Sequence, residues 1–135
     1  MQNKLENGLI NIKSSEDVKT TADRLEEVLR AKEMVIFARV NHAAAAQKIG
    51  KELRDTELII FGNPQVGTVL IQASQTTAID LPMKMLISAD QNGQVWISFN
   101  DPNYLAQRHN IKDCDDVLLK IREALNNFAH KAISK

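Results

Sequence analysis

The stretch that decides the fold is MKMLISADQNGQVWISF, from Met83 to Phe99. It contains two runs of mostly alternating apolar and polar residues on either side of the turn residues 91–93, which is typical of a β-hairpin. The odd-numbered apolar residues of both runs share one face only if odd-numbered residues pair with each other. We therefore predict that Met85 lies opposite Phe99, with a three-residue loop and Gly93 in the left-handed conformation.

The rest of the chain supplies strands and helices on both sides of this hairpin. Apolar or alternating runs predict three further strands, at residues 9–13, 34–40 and 57–61. Caps and helical spacing predict five helices: from a cap at Ser14 to about Lys32, over 42–51, from Pro64 to Ala73, from Pro102 to about Arg108, and from a cap at Asp113 to Ala132. This order of elements predicts an α+β fold, a two-layer sandwich in which helices pack on a mixed or mostly antiparallel sheet.

Length and charge limit the class of protein. With 135 residues, 44% of them hydrophobic, the chain is long enough for one domain over residues 1–135, and we expect frayed ends at 1–7 and 133–135. Its 17 basic residues are balanced by 17 acidic ones, so no basic surface for a polyanion is expected. Only 4% of the residues are aromatic, which leaves few platforms for base stacking. We therefore predict that nucleic acid is not a partner.

A run of 22 residues without charge, from Leu58 to Ile79, raises the question of a membrane span. Its many amide and hydroxyl side chains would be left unsatisfied in hydrocarbon, so we place it inside the fold and predict no membrane partner. Because its helix is apolar on more than one face, we predict a homodimer. The single cysteine, Cys114, and the lack of a secretory leader lead us to expect a cytoplasmic location.

Three strand exits share one pattern, in which an asparagine stands at the strand end and a helix starts directly behind it. These exits are FARVNHA at 37–43, IIFGNP at 59–64 and SFNDP at 98–102. A helix amino terminus offers unpaired N–H donors and a partial positive charge, which suits an anion. Three such termini could converge on one ligand. The alternative is that each asparagine only caps its own helix.

Two titratable residues are candidates for proton transfer. His42 stands at the start of a helix, where the dipole disfavours the imidazolium, although it could equally be a structural histidine bonded to backbone. Asp80 is the only charged residue between positions 58 and 83, and it must be paired or hydrogen-bonded. We expect backbone N–H groups, Asn100 or His42 as its donors, and capping of a turn is the alternative role. His109 and His130 are expected on the solvated surface.

Metal and cofactor chemistry have weak support in this sequence. Its three histidines and one cysteine show no metal-ligand spacing, and we predict no metal site. Cys114 lies among Asp113, Asp115 and Asp116, which disfavour a thiolate. The lysine and the spacing of a phosphate-binding loop are absent, so no nucleotide or other cofactor is predicted.

Several motifs together resemble the domain of unknown function 302 family: VNHAAAAQKIG at 40–50, FGNP with GT at 61–68, IDLP at 79–82 and NDPNYLAQRH at 100–109. The chain departs from the family pattern at Asp55 and Phe99. The resemblance covers the chain from about residue 8, and it implies an α+β fold that tends to dimerise and no established activity. Its motif positions in this chain are His42, Gly62, Asn63, Pro64, Gly67, Thr68, Asp80, Pro82, Asn100, Asp101, Pro102, Tyr104, Arg108 and His109.

Three functions remain open at this stage. The first hypothesis is a homodimeric, non-catalytic binding module that takes a small anionic ligand at helix amino termini. A second is an enzyme that uses His42 and Asp80 for proton transfer on a small molecule, and a third is a pure protein-association module. The residues predicted to bind the ligand are His42, Asn63, Thr68, Asp80 and Asn100.

Overall fold

The computed structural model describes residues 2–4 and 7–133. The strands are β1 (Gln2–Lys4), β2 (Leu9–Ser14), β3 (Val35–Asn41), β4 (Thr56–Gly62), β5 (Met83–Ala89) and β6 (Val95–Asn100). The helices are α1 (Val18–Ala31), α2 (His42–Lys48), α3 (Pro64–Ala73), α4 (Pro102–His109) and α5 (Asp115–Ala132), with a 3₁₀ segment at Gln75–Asp80. None of the helices in these residues is long and apolar enough to cross a bilayer.

Strands β2 to β6 form an antiparallel sheet in the order β2-β6-β5-β4-β3, and β1 adds a strand beside β2. Helices α1 and α5 pack together on one face, where alternate strand residues such as Ile59, Met85 and Ile97 are fully buried. The predicted α+β sandwich is confirmed. So is the register of the hairpin, because Met85 lies opposite Phe99 and Gly93 has a φ of +80°.

Two helix starts differ from their predicted positions. Ser14 ends β2, where its hydroxyl is hydrogen-bonded to that of Thr21 at 2.7 Å, and the cap of α1 is Asp17, which accepts from the Thr20 N–H at 2.7 Å. Asp113 does not cap α5, because its φ of +61° places it in the turn before the helix. The sequence did not predict the 3₁₀ segment, because its six residues are too few to show a helical period of apolar residues.

Both ends of the described chain make backbone contacts with the rest of the fold. Residues 2–4 pair with 10–12, because the outer edge of β2 offers backbone groups that need partners. Ile133 packs against the core, and its carbonyl accepts hydrogen bonds from the N–H and the hydroxyl of Ser15 at 3.1 and 3.0 Å. The fraying expected at the two ends stays a prediction. Residues 1, 5, 6, 134 and 135, which belong to the same expectation, lie outside the described residues.

Candidate functional site

A cavity of about 720 Å³ lies between α3, α5 and the adjoining end of the sheet. This volume falls in the range of small-molecule sites, roughly 300–1,000 Å³. Its walls are almost entirely aliphatic and aromatic, with α3 contributing Val66, Val69, Leu70 and Ile71 and α5 contributing Val117, Ile121, Ala124, Leu125 and Phe128. The cavity therefore offers an apolar environment for a ligand.

The cavity has a buried part and an exposed mouth. Phe61 and Phe128 meet edge to face with ring centroids 6.2 Å apart, and both are buried. At the mouth, Phe37 is 54% exposed and Val69 is 39% exposed. Lys120, on α5, is the only charged side chain among the described residues that line the cavity, and it is solvent-exposed. An apolar molecule could thus be buried with one end close to a cation.

Asn63 and Thr68 line this cavity, but the amino terminus of α3 has no donor left in its first residues. Pro64 has no N–H, and the Asn63 side chain accepts from the Gln65 N–H at 3.0 Å. The Asn63 carbonyl accepts from the two following N–H groups at 3.1 and 3.0 Å. The Thr68 hydroxyl donates to the Pro64 carbonyl at 2.6 Å. The asparagine therefore caps its own helix, as the alternative interpretation predicted.

The three strand exits do not converge. Because neighbouring strands are antiparallel, β4 and β6 finish at one end of the sheet and β3 finishes at the opposite end. Accordingly, Asn41 lies opposite Glu57 and Val35 lies opposite Gly62. A strand of seven residues spans about 20 Å, so His42 is separated by that length from the end of the sheet that carries Asn63. The possible convergence of all three exits on one ligand is therefore not present in the fold.

Asp80 has other donors than those expected. The Arg108 guanidinium donates from one nitrogen to both carboxylate oxygens, at 3.0 and 3.1 Å, and His109 Nε2 lies 2.5 Å from Oδ2. These residues end α4, which returns from the end of β6 to the 3₁₀ segment that carries Asp80. Asn100 instead pairs with Leu9 within the sheet. The predicted proton-transfer pair of His42 and Asp80 is not assembled.

His109 continues this network to a hydroxyl group. The Thr76 hydroxyl lies 2.9 Å from His109 Nδ1, and the Ser74 hydroxyl donates to the His109 carbonyl at 2.7 Å. When Asp80 is ionised, a neutral imidazole satisfies both ring contacts by donating from Nε2 and accepting at Nδ1. The side chains of His109 and Asp80 are 5% and 15% exposed, whereas Thr76 is exposed.

The surface position expected for His109 is wrong. Its neighbours Arg108 and Asn110 are polar and exposed, and such a polar stretch is typical of a solvated helix end. The signal that could have found it was Asp80, a lone carboxylate that needed a partner, together with the adjacency of β5 and β6 in the hairpin. His130 is exposed, as expected.

Sequence reasoning also missed a second charged cluster, around Arg39. The guanidinium donates to Glu57 at 2.8 Å, to Asp23 at 2.8 Å and to Glu26 at 3.3 Å. Hydrogen bonds from Lys19 and then Arg39 lower the pKa of Asp23. Those from Arg30 and then Arg39 lower the pKa of Glu26. The cluster joins α1 to the edge of the sheet.

Metal-ligating side chains are not gathered in the described part of the chain, where no group of three or more His, Cys, Asp or Glu residues could hold an ion. Cys114, which forms no disulfide, is half-buried just before α5. Neither feature adds a functional residue to the cavity or to the Asp80 network.

Comparison with known proteins extends these findings. The fold is similar to the crystal structure of an uncharacterized conserved protein DUF302 from Bacillus stearothermophilus, with a TM-score of 0.82 and 18% identity over 93% of this chain and 98% of that chain. In sequence, the chain is 43% identical over 116 residues, 86% of its length, to the fluoride-specific ion channel FluC 1 of Brucella suis and to its namesake in Brucella abortus.

The match to the Brucella proteins covers 46% and 43% of their respective lengths, so the chain spans less than half of these curated relatives. The model of the family described as domain of unknown function DUF302 matches residues 10–128. That range includes both the cavity and the Asp80 network. The chain therefore belongs to the DUF302 family.

Proposed function

We propose that this protein is a binding module for a small, predominantly apolar molecule that occupies the cavity between α3 and α5. The observation that carries this proposal is the cavity itself, about 720 Å³ of space among apolar side chains at the end of the sheet. Exposed apolar surface that continues into a concave site is a common mark of ligand binding.

The apolar character of the ligand follows from the chemistry of the walls. The N–H groups at the start of α3, which were expected to hold an anion, already donate to Asn63. Lys120 at the rim is the remaining group that could favour a negatively charged end on an otherwise apolar ligand. The proposal thus keeps Asn63 and Thr68 as lining residues and does not use His42 or Asn100.

We also propose that the protein forms a homodimer. Phe37 and Val69 support this, because both are apolar and exposed beside the cavity mouth. Light scattering at micromolar concentration should report twice the chain mass of 15.1 kDa. A mass equal to one chain would refute the dimer and leave the cavity proposal intact. The cytoplasmic location stays a prediction.

The Brucella relatives suggest a context for such a module. They are named fluoride-specific ion channels, and more than half of each lies outside the match. We propose that the shared segment is a ligand-binding module in those proteins as well, and that fluoride conduction belongs to the part outside the match.

The experiment fills the cavity and measures binding of an apolar fluorescent probe, 8-anilinonaphthalene-1-sulfonate. Gly67 lines the cavity, and a Cβ there would meet only Leu81, at an ordinary 3.7 Å, so Gly67→Leu adds volume without a backbone clash. We expect roughly 10-fold weaker binding, which corresponds to about 1.4 kcal/mol. Ala45→Leu, on the exposed side of α2, is the matched control. Equal affinities for wild type and Gly67→Leu would exclude this cavity as the site.

The sulfonate of the probe also tests the role of Lys120. Lys120→Ala should weaken binding by about two- to fivefold, because an exposed charge contributes less than about 1 kcal/mol. Lys131→Ala, an exposed lysine near the end of α5, should have no effect. Native mass spectrometry of protein purified from cells should then show a co-purifying molecule with wild type and not with Gly67→Leu.

A further inference from the structure

We propose that Thr76 is a nucleophile, activated by His109 and Asp80, which accepts an apolar acyl group from an activated ester. The three side chains form one hydrogen-bonded series, from the Thr76 hydroxyl to His109 Nδ1 and from Nε2 to the Asp80 carboxylate. A hydroxyl, a base within hydrogen-bond reach and a third group that orients the base are the parts of nucleophilic catalysis. This site is separate from the proposed cavity, since none of the three residues lines it.

The base is held by hydrogen bonds from several directions. Asp80 is fixed by Arg108 as well as by His109, with nitrogen–oxygen distances of 3.0 and 3.1 Å to the guanidinium. The backbone of His109 is fixed by Ser74, whose hydroxyl donates to its carbonyl. The ring is nearly buried, so only the Nδ1 side is directed at an exposed group. Such fixed geometry lowers the reorganisation needed when a proton is transferred.

The surroundings of Thr76 suit an apolar acyl group. Ile79 is 74% exposed and follows Thr76 by three residues in the 3₁₀ segment. Side chains three residues apart in a 3₁₀ helix lie on the same side, so Ile79 and Thr76 share one side of this segment. An exposed isoleucine beside the nucleophile offers a contact for an alkyl chain.

The acyl transfer needs only the ester, and release of the acid needs only water. The Thr76 oxygen attacks the ester carbonyl carbon, and its proton passes to His109 Nδ1. The bond between the carbonyl carbon and the leaving oxygen then breaks, and His109 returns the proton to that oxygen, which leaves an acylated Thr76 and a free alcohol. Water then attacks the acyl carbon while His109 accepts its proton. The bond between the acyl carbon and the Thr76 oxygen breaks, and His109 returns the proton to that oxygen, which regenerates the threonine and releases the acid.

The probe for this site is p-nitrophenyl butyrate. With wild-type protein we expect release of nitrophenol and a protein mass increased by one butyryl group, mapped to the peptide that contains Thr76. Thr76→Val keeps the shape of the side chain and should abolish both signals. Thr56→Val is the matched control, because the Thr56 hydroxyl donates to the Arg54 carbonyl at 2.7 Å and contacts no imidazole. This control should react like wild type.

Two further variants test whether the Thr76 hydroxyl reacts because His109 activates it or only because it is exposed to solvent. His109→Gln should slow acylation by about 10²-fold or more, the usual contribution of a general base. Thr76→Ser should retain the reaction, since it keeps the hydroxyl. Circular dichroism shows which variants are folded, and Thr76→Val, at an exposed position, provides the decisive comparison even if His109→Gln unfolds. Equal rates for wild type and Thr76→Val, or acylation at another residue that Thr76→Val leaves unchanged, would overturn the proposal.

Discussion

Two clusters of charged side chains in the described part of the protein differ in the groups that their hydrogen bonds connect. In the Arg39 cluster, one guanidinium is shared by three carboxylates, all carried by α1 and β4. In the Asp80 network, one carboxylate is shared by Arg108 and His109, and the imidazole then reaches the exposed hydroxyl of Thr76.

The Arg39 cluster is a structural arrangement, whereas the Asp80 network contains groups that could take part in a reaction. Around Arg39 every contact joins a fixed positive charge to a carboxylate. Hydrogen bonds from Lys19, Arg30 and Arg39 lower the pKa values of Asp23 and Glu26, which makes these two carboxylates weaker bases. Around Asp80 an imidazole lies between a carboxylate and a hydroxyl, and this is an arrangement through which a proton can move. We therefore expect substitutions in the first cluster to alter mainly stability, and those in the second to alter mainly reactivity.

Arg39→Met should have the largest effect on stability. Glu57 is 7% exposed, and the substitution removes the guanidinium that pairs with it. An uncompensated buried charge destabilises a protein strongly, so we expect the free energy of unfolding to fall by about 2–4 kcal/mol, as measured by urea denaturation. The control is Arg30→Met, whose side chain is 63% exposed and pairs with Glu26 within the same helix. Its loss should be under about 0.5 kcal/mol, and equal losses would contradict a structural role for Arg39.

Asp80→Asn should have a smaller effect. The amide still offers one oxygen, but it cannot satisfy both His109 and Arg108 as a carboxylate does, and we expect a loss of about 1–2 kcal/mol in thermal melts. Asp116→Asn, an exposed position near the start of α5, serves as control. An unchanged or raised melting temperature would mean that the native network is strained, as some functional sites are, and would count against a stabilising contribution of Asp80.

Much of the fold could be predicted because local patterns determine it. The alternation in the hairpin left only one register that places Met85 and Phe99 on the same face, and that register is present. The start of α1 was less predictable. Ser14 and Asp17 are both good capping residues, and the choice depends on β2 extending to Ser14, which the neighbouring strand β6 imposes.

The sites were harder to predict because they depend on contacts between distant residues. The sequence marked Asp80 as a carboxylate in need of a partner, but its partners Arg108 and His109 are 28 and 29 residues away, at the end of α4. His42 is a histidine like His109, and its position at the start of a helix made it the better candidate in the sequence. Antiparallel pairing places it at the opposite end of the sheet from Asp80. The cavity left no local signal, since its walls come from α3, α5 and the sheet.

Acid should weaken the Arg39 cluster modestly. The pKa values of Asp23 and Glu26 lie below their ordinary values of 3.8 and 4.5 in the folded protein, so this stability is present above those values and is lost as the pH falls through the lower folded ones. Because Asp23 is 42% exposed, solvent screening limits the combined loss to under about 1 kcal/mol. Urea denaturation from about pH 5 to about pH 3 measures it. Lys19→Met removes the principal donor to Asp23 and should flatten this dependence, and an unaltered slope would contradict the assignment.

Thr76→Val should have the smallest effect on stability, and it sharpens the comparison most. The substitution keeps the β-branched shape at an exposed position and leaves the contact between His109 and Asp80 intact. Water can replace the lost hydroxyl at Nδ1, so we expect a change within about 0.5 kcal/mol in thermal melts. Val35→Thr, which exchanges the same two side chains at an exposed position outside the cavity wall, is the control for the substitution itself. If Thr76→Val instead destabilises the protein as much as Asp80→Asn does, the Thr76 hydroxyl mainly stabilises the contact between the 3₁₀ segment and α4. The Asp80 network would then have a structural role, like the Arg39 cluster.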